Sequence, residues 1–322
     1  MKRKTISIII PVYNEAAGIR RFLEGELFPV MQELPYLTEL IIVDDGSKDK
    51  SLEIVRESLK NQDAPTRVIS FTRNFGKEIA LTAGLKYAKN EAVIMLDSDG
   101  QHPVSVIPKM LEKWEKGAKI VTVVNSGNNT KHKFGSKMFY GTMRLMGNHT
   151  FREGAMDFRL LDRVVVEEYN KLTEHNRITR GLIDWLGYPQ EYIKASTLKR
   201  ASGRPTYSRK KLMGLAVDSF VSMSSTPLLI FGYIGLFIIF TSLPFGLFIL
   251  VEQYIMGDPM RLDWSGAVAM SVFVSFLVGL VLLSQSITAL YIARIHAETK
   301  GRPLYIIDKE KSSNIEVGNA KK

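Results

Sequence analysis

"AVIMLDSDGQHP" runs from Ala92 to Pro103. Its opening apolar run reads as a buried strand, and it ends in two carboxylates one residue apart, Asp97 and Asp99. At a strand end, residues i and i+2 point the same way, so the two acids converge on one point. A divalent cation would relieve their repulsion. Hard oxygen donors suit Mg²⁺ or Mn²⁺, which keep positions open for substrate phosphates. A calcium loop fails on spacing, because it needs Gly at 102 and Glu at 108, where this chain has His102 and Pro108. A solvated acidic turn is the plain alternative.

Working outward, three more Ile/Val-rich runs precede this one: "TISIIIPVY" (5–13), "ELIIVDD" (39–45) and "RVISFTR" (67–73). Helical patterns separate them, at "AAGIRRFLEGELFPVMQEL", "SLEIVRESLKN" and "KEIALTAGLKYAKN". Four strand–helix units with short connections predict an α/β domain with a mostly parallel sheet, and such sheets bind ligands at the carboxyl ends of their strands. The polar clusters "YNE", "DDGS", "TRN" and "DSDGQH" fall there. No glycine-rich dinucleotide fingerprint or Walker A motif is present. Nucleotide recognition must then use polar strand ends, with Asp45 accepting from a base N–H and Arg73 and Lys77 near the base or a diphosphate.

The chain has 322 residues, no cysteine and a net charge of +10. The missing cysteines exclude disulfides and thiolate metal sites. The short apolar run Ile6 to Val12 reads as a first strand, not a signal peptide. Two long segments, 227–251 and 265–293, carry no charge and predict transmembrane helices. Lys194, Lys199, Arg200, Arg204, Arg209, Lys210 and Lys211 precede the first without an intervening acid. Arg294, Lys300 and Arg302 follow the second. Positive-inside logic puts both flanks in the cytoplasm. The basic excess reads as bilayer-directed, with no nucleic-acid partner. The expected division is a cytoplasmic catalytic domain over 1–205, an interfacial amphipathic helix over 206–226, spans at 227–251 and 265–293, an extracytoplasmic linker over 252–264, and a cytoplasmic tail over 294–322.

"IIIPVYNE", "VDDGSKD", "FTRNFGKEIALTAGL", "LDSDGQHP" and "DFRLLDR", followed by two apolar segments and "HAETKGRPLY", resemble the polyprenyl-phosphate glycosyltransferases of glycosyltransferase family 2. These include the bactoprenol glucosyltransferases and, more distantly, dolichyl-phosphate mannose synthase. The resemblance covers nearly the whole chain, in order. It implies a GT-A fold, a divalent metal, and inverting transfer of a hexose from a UDP-sugar, glucose first, to undecaprenyl phosphate at the plasma membrane. It also implies a homo-oligomer, specifically a tetramer, working with a flippase and a downstream glycosyltransferase. Pro11, Tyr13, Glu15 and Asp45 would hold the nucleoside, and Asp97, Asp99 and Gln101 the metal and diphosphate. Asp157 falls beside the reacting sugar, as a base or as a positioning group, with Arg152 and Arg159 placed to meet phosphate.

Two departures bear on the acceptor. Where the family has a Gly-x-Ser-Lys-aromatic stretch, this chain reads "GRPTYS", with Pro205 and Thr206. Where the family has Arg after the fifth strand, this chain reads "VVNSGNNTKHK". Lys131, Lys133, Arg200 and Arg204 are the cations left to compensate. The competing readings are N-acetylglucosamine or galactose as the sugar, a polysaccharide synthase, and a non-enzymatic membrane scaffold. A synthase should carry a Gln-x-x-Arg-Trp motif, which is absent.

Overall fold

Residues 3–60, 62–125, 155–175, 177–196 and 266–314 are described in the computed structural model, with isolated positions 244 and 251. The expected interfacial helix, first span and linker lie outside the described residues, those two positions aside.

The first strand, β1 (Thr5–Val12), is buried on both sides. Ile6, Ile8 and Ile10 enter one apolar cluster and Ile9 the opposite one, as the two-residue strand repeat requires. A π-helical turn, Arg21–Leu27, leads into α1 (Phe28–Glu33). Next come β2 (Leu37–Asp44), α2 (Ser51–Leu59), β3 (Thr66–Ser70), α3 (Lys77–Tyr87) and β4 (Ala92–Met95). Pairings β1–β2, β2–β3 and β1–β4 are all parallel. The second half adds α4 (Ile107–Glu115), β5 (Ile120–Asn125), β6 (Ala155–Asp162), α5 (Arg163–Lys171), α6 (Thr179–Trp185) and β7 (Gln190–Ala195). Among the described residues seven strands make one sheet in the order β3-β2-β1-β4-β6-β5-β7. β6 runs antiparallel to both β4 and β5. α1, α2 and α4 cover the Ile8 face, and α3, α5 and α6 the Ile9 face.

β4 is shorter than its sequence predicts. It stops at Met95, so Asp97 and Asp99 stand on the loop beyond it and not on the strand. Pro11 gives the reason. Leu96 N–H donates to the Ile9 carbonyl at 3.2 Å. The next rung of a parallel ladder needs an N–H from residue 11, and proline has none. The two chains are free to part at that point, which opens a crevice between the β1 and β4 ends.

The chain divides into two compact units, Met1–Thr206 with Arg302–Lys322, and Tyr207–Gly301. In the second unit, α7 (Gly266–Thr299) is one 34-residue helix. Among residues with described side chains, no helix is long and apolar enough to cross a membrane. In the first unit, residues 302–314 return to the sheet. The tail expected over 294–322 therefore divides into a helix end and a docked segment. As an outer strand, β3 offers unpaired backbone groups, and the segment meets them. Asp308 N–H donates to Ser70 O at 2.8 Å, Ser313 N–H to Val68 O at 2.9 Å, and Thr72 N–H to Ile306 O at 3.0 Å. Tyr305 stacks on Phe71, centroids 4.9 Å apart.

α3 lies close on β1 because Gly84 carries no side chain. A Cβ there would stand 2.3 Å from Ile9 Cγ2. Gly84→Ala should therefore cost about 1–3 kcal/mol by overpacking, read as a lower midpoint in thermal or denaturant unfolding. An unchanged midpoint would mean that the helix does not sit this close.

Candidate active site

The loops that follow the parallel strands are sewn to one another. After β1, Asn14 adopts a left-handed φ of 53°. Its N–H donates to Ser47 Oγ at 3.1 Å, and its Oδ1 accepts from Lys48 N–H at 2.9 Å. Glu15 N–H donates to Ser51 Oγ at 2.7 Å, and Ala16 N–H to Asp49 Oδ2 at 3.1 Å. Gly46 (φ +68°) lets the β2 loop touch the β3 loop, since a Cβ would fall 2.4 Å from the Arg73 carbonyl carbon. Tyr13 is the exposed aromatic at the mouth, whereas Pro11 is buried in β1.

Asp45 is only 2% exposed. Its Oδ1 accepts from Phe75 N–H at 2.7 Å, and its Oδ2 from Asn74 Nδ2 at 2.8 Å and Gly76 N–H at 2.9 Å. Burial pushes its carboxyl up to about 6, against the pull of those N–H groups. Three donors of the 74–76 turn hold the Asp45 carboxylate, two on Oδ2 and one on Oδ1, so a base N–H expected at Asp45 would share it with this turn. Arg73 stays at the exposed rim, its guanidinium 4.1 Å from the Phe75 ring centroid.

The turn held by Asp45 delivers Lys77, the first residue of α3. Its Nζ lies 2.7 Å from Asp97 Oδ1 and 2.8 Å from Asp157 Oδ2. Asp157 is on β6, and the antiparallel course of that strand brings it beside the β4 loop. Burial disfavours ionised Asp157, but Lys77 overrides it and holds the carboxyl at about 2. Burial likewise works against the Lys77 charge, and the two carboxylates override it, raising its pKa. Glu78, next along α3, accepts from Thr179 N–H at 2.8 Å, and burial followed by repulsion from Asp157 pushes its pKa up.

His102 is buried against the Phe158 ring, stacked at 5.3 Å, and its Nδ1 accepts from Asp97 N–H at 3.1 Å. The proton then sits on Nε2, and burial pushes the ring pKa down. His102 shapes the acidic loop. Asp99 Oδ1 accepts from Gln101 N–H at 3.0 Å, and Asp99 lines a small pocket with Glu15.

The expected metal set of Asp97, Asp99 and Gln101 is assembled only in part. Among the described residues no three acidic or histidine side chains converge as a metal cluster. The donor chemistry of one hard-oxygen loop fits Mg²⁺ or Mn²⁺, with remaining ligands left to phosphate and water. Asp97 would have to be shared with Lys77.

Arg159 corrects an expectation. It is 2% exposed, and its Nη1 pairs with Asp184 Oδ1 at 2.6 Å. Gln190 Nε2 donates to the same oxygen at 2.7 Å. A guanidinium enclosed in this way stands where no acceptor phosphate reaches it. Asp184, in "TRGLIDW", escaped the sequence reading because an acid in a short helix reads as surface. Lys131, Lys133, Arg152, Arg200 and Arg204 lie outside the described residues.

The family model for "Glycosyl transferase family 2" matches residues 7–169. The chain belongs to glycosyltransferase family 2. The transferase is 36% identical over 310 residues to a protein named bactoprenol glucosyl transferase of Shigella phage SfV, covering 95% of this chain and 99% of that one. It is 36% identical to an uncharacterised glycosyltransferase of Bacillus subtilis, with 94% and 93% covered. A homologue named for prophage bactoprenol glucosyl transfer in Escherichia coli K12 is 34% identical, with 95% and 99% covered. The matched residues 7–169 take in the parallel strands, the acidic loop after β4 and Asp157 on β6.

In this transferase Arg159 is a structural partner. Arg159→Leu should cost about 3–5 kcal/mol, because it leaves a buried carboxylate uncompensated. Chemical denaturation reads this. Unchanged stability with weakened acceptor binding would return Arg159 to the acceptor site.

Proposed function

We propose that this enzyme transfers glucose from UDP-glucose to a polyprenyl phosphate, with inversion at the anomeric carbon. The near-complete alignment with bactoprenol glucosyl transferases carries the reading, and the strand-end carboxylate–lysine cluster supplies its chemistry. A phosphate oxygen of the lipid attacks the anomeric carbon, the bond to the diphosphate oxygen breaks, and UDP leaves. A phosphate monoester has its second pKa near 6, so near neutral pH it is largely a dianion and a strong base is not required. Asp157, held ionised by Lys77, is a poor proton acceptor and suits the role of fixing the sugar and Lys77. The acidic loop with Asp97 and Asp99 would hold Mg²⁺ or Mn²⁺ on the diphosphate, which supplies Lewis-acid stabilisation of the leaving group. Tyr13, Glu15 and Arg73 ring the mouth where the nucleoside would lie. The purified protein, given undecaprenyl phosphate and a panel of UDP-sugars, should yield hexosyl lipid from UDP-glucose by mass spectrometry. Preferred use of UDP-N-acetylglucosamine or UDP-galactose would overturn the sugar, and no lipid product from any donor would overturn the reaction.

We further propose that α7 crosses the bilayer and that the catalytic unit is cytoplasmic. The helix is about 51 Å long at 1.5 Å per residue, against a hydrocarbon core of about 30 Å. Its sequence has no charge from Gly266 to Ala293. Met270, Val274, Val281, Leu290 and Ile292 are exposed along it, as lipid contact would favour. The segment 227–251 would be the other span, and the glycosylated lipid would then form on the cytoplasmic leaflet, upstream of a flippase and a second transferase. A single cysteine at Gly257 should react with an impermeant thiol reagent in intact cells, and one at Glu310 should not. The reverse pattern would invert the topology.

A further inference from the structure

The 302–314 segment does more than cover β3. Between it, α3 and α5 lies a cavity of about 1000 Å³, at the upper end of the range usual for small-molecule sites. Among the described residues three cations line it, Lys86, Arg177 and Lys309, and no carboxylate does. Lys86 and Lys309 are exposed and make no ion pair among the described residues. Arg177 is buried, and its Nη2 donates only to backbone carbonyls, Leu172 O at 3.0 Å and Tyr169 O at 3.3 Å. Those carbonyls end α5, so part of the guanidinium charge answers the helix terminus. The lysines have no such answer. Tyr87, Tyr305 and Ile307 supply apolar wall beside them. Lys86 lies nine residues after Lys77, about 14 Å along α3 at 1.5 Å per residue, so the cavity is distinct from the strand-end crevice.

We propose that this cavity is a second anion site, which takes a phosphate monoester. Positive charge gathered without any acid in a concave, part-aromatic wall selects an anion over a cation or a neutral sugar. A phosphate group matches several separate N–H donors, and the apolar side accepts a carbon chain or ring attached to it. Two sources share this chemistry: a membrane lipid headgroup and a free phosphorylated metabolite.

The test is calorimetric titration of the full-length protein saturated with UDP, first with hexyl phosphate and then with inorganic phosphate. The comparison protein is the Lys86→Gln/Lys309→Gln double variant, whose exposed positions leave the fold and the catalytic crevice intact. Any acceptor site is common to both proteins, so their difference reports the cavity. Wild type should bind hexyl phosphate at least about tenfold more tightly than the variant, the loss expected for two partly screened charges. A preference for hexyl over inorganic phosphate would assign the site to a lipid headgroup. Equal affinity for the two, with the same loss in the variant, would assign it to a free phosphate. Equal binding by wild type and variant, or no binding by wild type, would overturn the proposal. None of these readings requires turnover, so they stand apart from any failure of the proposed transfer reaction.

Discussion

The Lys77 ammonium between Asp97 and Asp157 is the contact on which the site depends. It joins three pieces of chain that arrive separately: the start of α3, the loop after β4, and the first residues of β6. Two carboxylates this close repel each other, and partial burial strengthens the repulsion. The cation reverses the sign. It holds Asp157 ionised and fixes the acidic loop before any substrate enters. The same loop also receives a neutral ligand from behind, since His102 accepts its Asp97 N–H without adding charge.

Lys77 is in turn placed by Asp45. That carboxylate takes three N–H donors from the turn ending at Gly76, and α3 begins one residue later. Gly84 lets the helix settle on β1, and Pro11 stops the β1–β4 ladder so that the acidic loop can swing away from the sheet. The outer side of the same β3 turn is braced by Tyr305 on Phe71, and Phe71 packs edge-on to Phe75 at 5.7 Å. A docked C-terminal segment thus supports the turn that leads into Lys77.

Much of this was legible in the sequence. The Ile/Val-rich runs marked β1 to β4, and their polar ends marked the crevice, because strand burial and strand-end solvation leave opposite compositional traces. Asp157 was found through its motif, but the antiparallel β6 that carries it was not, since pairing direction leaves no local pattern. The hold of Asp45 on the 74–76 turn was not legible, because a strand-end acid looks the same whether it faces a ligand or a backbone turn. Arg159 misled for a similar reason: its partner Asp184 lies 25 residues away on a separate helix. The docking of 302–314 rests on isolated bridges and one ring stack, without the alternation that marks a strand.

A double-mutant cycle on Lys77 and Asp157 tests the central contact most directly. Lys77→Met, Asp157→Asn and the double variant are compared by kcat/KM for transfer to the lipid phosphate. If the two act as one unit, the double variant is little worse than the poorer single variant, with a coupling above about 1.4 kcal/mol, or tenfold. Losses that simply add would mean that the two residues serve the reaction independently, and would contradict the cluster as its organising centre.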